Sequence, residues 1–286
     1  MPSVVAPDGT RLALHIAGEG EPLLCLPGGP MRASAYLGDL GGLSRRRRLV
    51  LLDLRGTGSS GVPGDPATYR CDRQVGDVEA VREYLGLERV DVLAHSAGGD
   101  LALLHAARHP RRVRTLTLVA ARARALGIGF TEEHRREAAA LRAGEPWFAQ
   151  AYRAYEAVWA GSPTDADWDA VLPFFYGRWD AAARAHAAAD VRQTNEEAAE
   201  RYASTGAFDP ATARAAVAEL DARVLVLAGE LDGGPLPRVA AAVADLFPHA
   251  EAAVQPGAGH FPWLDDPDLF TRTVEAYLLR AAPAGP

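Results

Sequence analysis

VDVLAHSAGGDLALLHAARHP, residues 90–110, carries a serine where a short apolar run gives way to a helical pattern. Residues 90–93 read as a strand, 97–108 as a helix, and Ser96 as the sharp turn between them. A serine that is to attack a carbonyl must stand clear of the sheet edge, which requires strained backbone and little side-chain bulk two positions to either side. Ala94 and Gly98, followed by Gly99, leave that room. A helix starting at Ala97 would also aim free N–H groups and its positive dipole end at a developing oxyanion. The plainer role for such a serine is to cap the helix. On this stretch alone the two readings weigh equally, and the partners elsewhere in the chain decide between them.

A hydroxyl becomes a nucleophile when a base takes its proton, and the base needs an acid to fix its tautomer. The strand at 224–227 runs into AGELDGGP, which puts Asp232 in a loop beyond a strand's carboxyl end, where open α/β sheets keep their sites. After the next strand comes QPGAGHFPWLDDP, a Gly-rich loop carrying His260 just before the final helix. Glu230, two residues before Asp232, is the competing acid. No carboxylate follows the strand ending at Ala120, which favours Asp232. His95 adjoins Ser96 but is expected to point elsewhere. The remaining histidines read as structural residues on strands or helices.

The wider chain suits an enzyme core. Its 286 residues, 48% of them hydrophobic, can bury a large core. All 30 basic residues are arginine, yet the net charge is −7, so no overall positive field draws the chain to nucleic acid. The run Arg45 to Arg48 reads as a solvated loop. Cys25 and Cys71 are too few for a disulfide framework and lack metal-ligand spacing, and Cys25 reads as a buried strand residue. No stretch approaches the roughly 18 apolar residues of a membrane span, and MPSVVAPDGT lacks a signal-peptide pattern, so a cytoplasmic protein is expected. No phosphate loop or dinucleotide fingerprint occurs, so neither cofactor nor metal is expected.

Short apolar runs recur along the chain: PLLCL, RLVLLDL, RVDVLA, VRTLTLVA, ARVLVLAG and EAAVQ. A hairpin turn is expected at Asp8 and Gly9, and helical patterns fill 75–85, 97–108, 237–246 and 267–280. Buried strands separated by helix-length segments indicate an α/β fold with a mostly parallel sheet. From 121 to 213 no strand is expected. The spacing there predicts an all-helical cap, with core segments at 1–120 and 214–286. The cap holds most of the aromatics, among them Trp159, Trp179 and Tyr176, which suit a lid lining an apolar substrate pocket. The end, AAPAGP, reads as a frayed tail.

These pieces together resemble the α/β-hydrolase superfamily, and within it the proline iminopeptidase group. The resemblance rests on LPGGP at 26–30, LDLRGTGSS at 52–60, AHSAGG at 94–99, AGELD at 228–232 and GAGHFPWLDDP at 257–267, in that order. It implies Ser96 as nucleophile, His260 as general base and then acid, and Asp232 as the group that orients it. It also implies an oxyanion hole from the N–H groups of Gly29 and Ala97. Where relatives read H-G-G-P-G, this chain has Pro27 in place of the histidine and Met31 in place of the last glycine. In iminopeptidases, cap carboxylates hold the substrate's amine. Glu196 and Glu197 are the candidates for that role here, against their plainer place on a solvated helix face.

The expected reaction is acyl transfer on a small-molecule or short-peptide substrate: hydrolysis of an amide or ester, with N-terminal proline cleavage the best-known family activity. A tailoring acyltransferase, cyclase or thioesterase would use the same triad. A ligand-binding protein on a hydrolase fold is the third reading, which an intact triad disfavours.

Overall fold

Residues 1–281 are described by the structure, a computed structural model; the expected frayed tail lies outside them apart from the backbone of Ala281. The chain opens with β1 (Ser3–Val5) and β2 (Arg11–Ala17), an antiparallel pair. Their turn is the expected one: Gly9 takes a left-handed φ of 89° and the Asp8 carboxylate accepts the Thr10 N–H at 3.0 Å. Then come β3 (Pro22–Leu26), β4 (Arg48–Leu52), β5 (Val90–His95), β6 (Val113–Val119), β7 (Arg223–Gly229) and β8 (Ala250–Gln255). The eight strands form one sheet in the order β1-β2-β4-β3-β5-β6-β7-β8. All pairs from β4 onward in that order are parallel.

The central strands β3 and β5 are buried at every residue, which is why they read as unbroken apolar runs. Each leucine sealed there contributes roughly 1.5–3 kcal/mol relative to exposure. Helices α1 (Val75–Tyr84) and α2 (Gly98–Arg108) follow β4 and β5. Between β6 and β7 lie only helices: α3 (Glu132–Ala140), α4 (Phe148–Trp159), α5 (Asp165–Val171), α6 (Ala181–Ala188), α7 (Asp190–Gln193), α8 (Glu196–Tyr202) and α9 (Pro210–Val217). The expected limit of the cap at 213 falls inside α9, a helix that packs on α2 of the core. The chain closes with α10 (Pro237–Ala244), α11 (Pro262–Asp265) and α12 (Pro267–Ala281).

The order in which strands are added reverses at β3, since β4 lies on one side of it and β5 on the other. In open α/β sheets the crevice at such a switch, outside the carboxyl ends of the strands, is where ligands bind. Register brings the needed loops together there. Leu26 lies beside Ala94, His95 beside Val119, and Gly229 beside Gln255. The loops after β3, β5, β7 and β8 therefore leave the sheet on one rim. Two sequence expectations change. Arg47 is buried against Glu275 of α12, 3.2 Å away, because the run reaches the start of β4 instead of ending in solvent. Neither His109, in the link after α2, nor His249, in a turn before β8, lies on a strand or helix.

Candidate active site

Ser96 adopts a left-handed φ of 50° and is 4% exposed. For a residue with a Cβ that conformation costs on the order of 1–2 kcal/mol, so the surroundings must impose it. They do so through the backbone: its N–H donates to the Val119 carbonyl at 3.1 Å, and its own carbonyl accepts from Gly99 and Arg122, both at 2.9 Å. The space expected at Gly98 is required. A Cβ there would stand 2.5 Å from the Pro27 carbonyl oxygen, so only glycine lets the elbow sit against the β3 loop.

Asp232 is fully buried, and both its carboxylate oxygens lie 3.0 Å from His260 Nδ1. Gly234 donates its N–H to Asp232 Oδ1, and a Cβ on it would stand 3.0 Å from both that oxygen and the imidazole, while a Cβ on Gly233 would stand 2.6 Å from the Phe174 carbonyl oxygen, which explains the paired glycines of ELDGG. Glu230 is exposed and accepts the Gly257 N–H at 2.8 Å, so it braces the histidine loop and leaves the imidazole to Asp232. Because the carboxylate accepts from Nδ1–H, Nε2 is the nitrogen left free. Ser96, His260 and Gly29 line one cavity of about 1040 Å³, with no hydrogen bond joining Ser96 to His260. The N–H groups of Gly29 and Ala97 donate to no protein acceptor among the described residues. Met31 has a φ of 59°, so the residue that replaces a glycine keeps the backbone a glycine would favour.

Beneath the elbow lies an arrangement that sequence reasoning did not find. The Gly28 N–H donates to the Tyr36 hydroxyl at 2.7 Å, and that hydroxyl donates to His95 Nδ1, also at 2.7 Å. His95 Nε2–H in turn donates to the His260 backbone carbonyl at 2.8 Å. Burial, reinforced by the neighbouring His260 ring, holds the His95 pKa well below the ordinary imidazole range, so the ring is neutral and the chain of donors runs one way. His95 does point away from the nucleophile, as expected. It joins the loop after β3 to the histidine loop.

The cap candidates divide. Glu196, at the first turn of α8, lines the cavity. Glu197 does not: it is exposed and pairs with Arg201 one turn on, as a solvated helix face would. Trp159 stacks on Tyr155 at 4.9 Å between ring centres and carries the Arg136 guanidinium on its ring, packing that keeps it out of the cavity. Tyr176 is buried against Phe261, its hydroxyl on His186 Nδ1, and Trp179 packs beside it, so neither faces the substrate. The aromatics that line the cavity are Tyr155, Trp168, Phe130 and Phe175. A strap formed by residues 174–177 lies over the loops that carry Asp232 and His260: Phe174 accepts from Gly233, Phe175 from His260, and Asp265 accepts the N–H groups of Gly177, Arg178 and Gly259.

Residues 21–267 match the family described as alpha/beta hydrolase fold. The chain belongs to the α/β-hydrolase family. As a member, it is 28% identical to 2-hydroxymuconate semialdehyde hydrolase of Pseudomonas putida over 96% of this chain and 92% of that protein. It is 28% identical to the proline iminopeptidase of Levilactobacillus brevis over 90% and 88%. Among solved structures, the proline iminopeptidase of Mycobacterium smegmatis superposes with a TM-score of 0.75 at 25% identity, over 98% of each chain. The protein is thus a hydrolase of the α/β family similar to proline iminopeptidases. Among its described residues no helix is long and apolar enough to cross a membrane.

Proposed function

We propose that this α/β-hydrolase cleaves a small ester or amide through an acyl-enzyme on Ser96. The observation that carries this reading is the grip of buried Asp232 on His260 Nδ1, at 3.0 Å from each oxygen, on the cavity that Ser96 also lines. His260 Nε2 takes the Ser96 proton as Oγ bonds to the substrate carbonyl carbon. The oxyanion that forms is held by the Gly29 and Ala97 N–H groups. The imidazolium then gives its proton to the leaving oxygen or nitrogen as that bond breaks. Water, deprotonated by the same nitrogen, attacks the acyl-enzyme and releases the acid, restoring the serine. Helices between 121 and 213 act as the cap that limits water around these steps.

A second reading, N-terminal proline cleavage, is favoured by Glu196 on the cavity and by the iminopeptidases among the relatives. The test compares a short-chain nitrophenyl ester with a prolyl anilide, using wild type beside Ser96→Ala. Loss of roughly ten-thousand-fold or more in kcat on the better substrate is expected. Turnover that survives in Ser96→Ala contradicts the acyl-enzyme.

A further inference from the structure

Arg122 follows β6, and its N–H donates to the Ser96 carbonyl at 2.9 Å, so its backbone is fixed beside the nucleophile. Its side chain is partly buried and lines the same cavity as Ser96 and His260. Among the described residues the guanidinium has no hydrogen bond and no carboxylate within ion-pair distance. That sets it apart. The buried arginines of this protein, Arg32, Arg47, Arg55, Arg82 and Arg142, each meet a carboxylate. A desolvated cation is expensive unless it is paired.

The surroundings do not neutralise it. Asp100, the acid whose charge bears on Arg122, is buried with its pKa raised by burial, and its Oδ1 is taken by the Ala125 N–H at 3.0 Å. Arg124 and Arg135 line the same cavity, also without a carboxylate partner among the described residues. Burial, with Arg124 adding repulsion, pulls the Arg122 pKa down to about 10, which leaves it cationic at neutral pH. The acids on the cavity lie elsewhere: Asp165, Asp169 and Glu196 are exposed, and Asp190 pairs with Arg32.

We infer that Arg122 is a specificity-determining residue that binds a carboxylate carried by the substrate within an arginine's reach of the scissile carbonyl. The planar fork of the guanidinium matches a carboxylate in two parallel hydrogen bonds, and Arg124 and Arg135 add to the field that draws it in. This rests on the acyl-enzyme reading and narrows it to acidic esters or amides. It also disfavours a substrate whose free amine lies beside the reacting carbonyl, because the unpaired arginines on the cavity carry the wrong sign for it.

Two pairs of esters test it: nitrophenyl monoadipate against its methyl-capped diester, and the butyrate of a carboxylated nitrophenol against nitrophenyl butyrate. Wild type is expected to show kcat/KM roughly tenfold or more higher for the acid of at least one pair, the scale of a hydrogen bond to a charged group. That ratio should fall toward one in Arg122→Gln, recover in large part in Arg122→Lys, and shrink with added salt. Should the glutamine variant not fold, the salt dependence in wild type and competitive inhibition of the neutral esters by adipate decide the matter. A ratio at or below one for both pairs overturns the inference, as does a high ratio that Arg122→Gln leaves in place. A prolyl anilide preferred over every acid does the same and points to Glu196. Failure of the underlying reading looks different: the neutral esters would then not be hydrolysed at all, or would be hydrolysed equally by Ser96→Ala.

Discussion

Tyr36 supplies one hydroxyl that both accepts from Gly28 and donates to His95, and the chain ends on the carbonyl of His260. The loops after β3 and β8 are thereby locked together, as the proposed acyl transfer requires to a fraction of an ångström. Tyr36→Phe keeps the ring but leaves a buried N–H and a buried imidazole nitrogen without partners. We expect it to lower unfolding stability by roughly 2 kcal/mol or more in urea and to cut kcat more than it changes KM. Unaltered stability with unaltered kcat would show that the hydroxyl is not needed. Sequence reasoning reaches Ser96, Asp232 and His260 because each sits in turn chemistry that a strand and helix bracket. It does not reach Tyr36 or Arg122, since a contact spanning 59 residues, or a cation left unpaired in a cavity, has no spacing to betray it.

At the scale of elements, the strands and core helices were legible because burial on both faces writes itself as unbroken apolar runs, as in PLLCL and VDVLA. The cap was legible only as helical. Which of its aromatics face the cavity depends on how short helices dock, and no periodicity encodes that. Trp168 and Tyr155 line the cavity, whereas Trp159, Trp179 and Tyr176 pack among themselves and their neighbours. The strap at 174–177 runs from the end of a 3-10 turn into irregular backbone, and Asp265 ties it to the histidine loop by accepting the N–H groups of Gly177, Arg178 and Gly259. Asp265→Ala leaves all three N–H groups without their acceptor at once. Calorimetry should show Tm lowered by about 4–8 °C, corresponding to a loss of about 2 kcal/mol, with KM raised as the strap loosens over His260. Asp265→Asn, which keeps one acceptor oxygen, should recover part of the loss. An alanine variant as stable as wild type would mean that the strap is held by other contacts.

For the whole molecule, two neutral imidazoles, His186 where the helical insertion meets Tyr36 and His95 beneath the elbow, make folding sensitive to acid. His186 donates to the Tyr36 carbonyl and accepts from Tyr176, and burial, with Arg32 nearby, lowers its pKa to about 4. His95 is lowered in the same direction. Unfolded histidines bind protons below about pH 6.5, where these folded ones do not, so stability must fall as pH drops from there toward 4. With partial exposure discounted, roughly 1 kcal/mol per imidazole should be lost between about pH 7.5 and pH 5.5. Urea midpoints at the two pH values measure it, and equal midpoints would show that the imidazoles accept charge in place. Acyl transfer through Ser96 is decided by labelling with a fluorophosphonate. One adduct per chain is expected, located by mass on the tryptic peptide spanning residues 90–108 and formed in step with loss of ester turnover. Turnover that persists after labelling, or an adduct on another peptide, would contradict it.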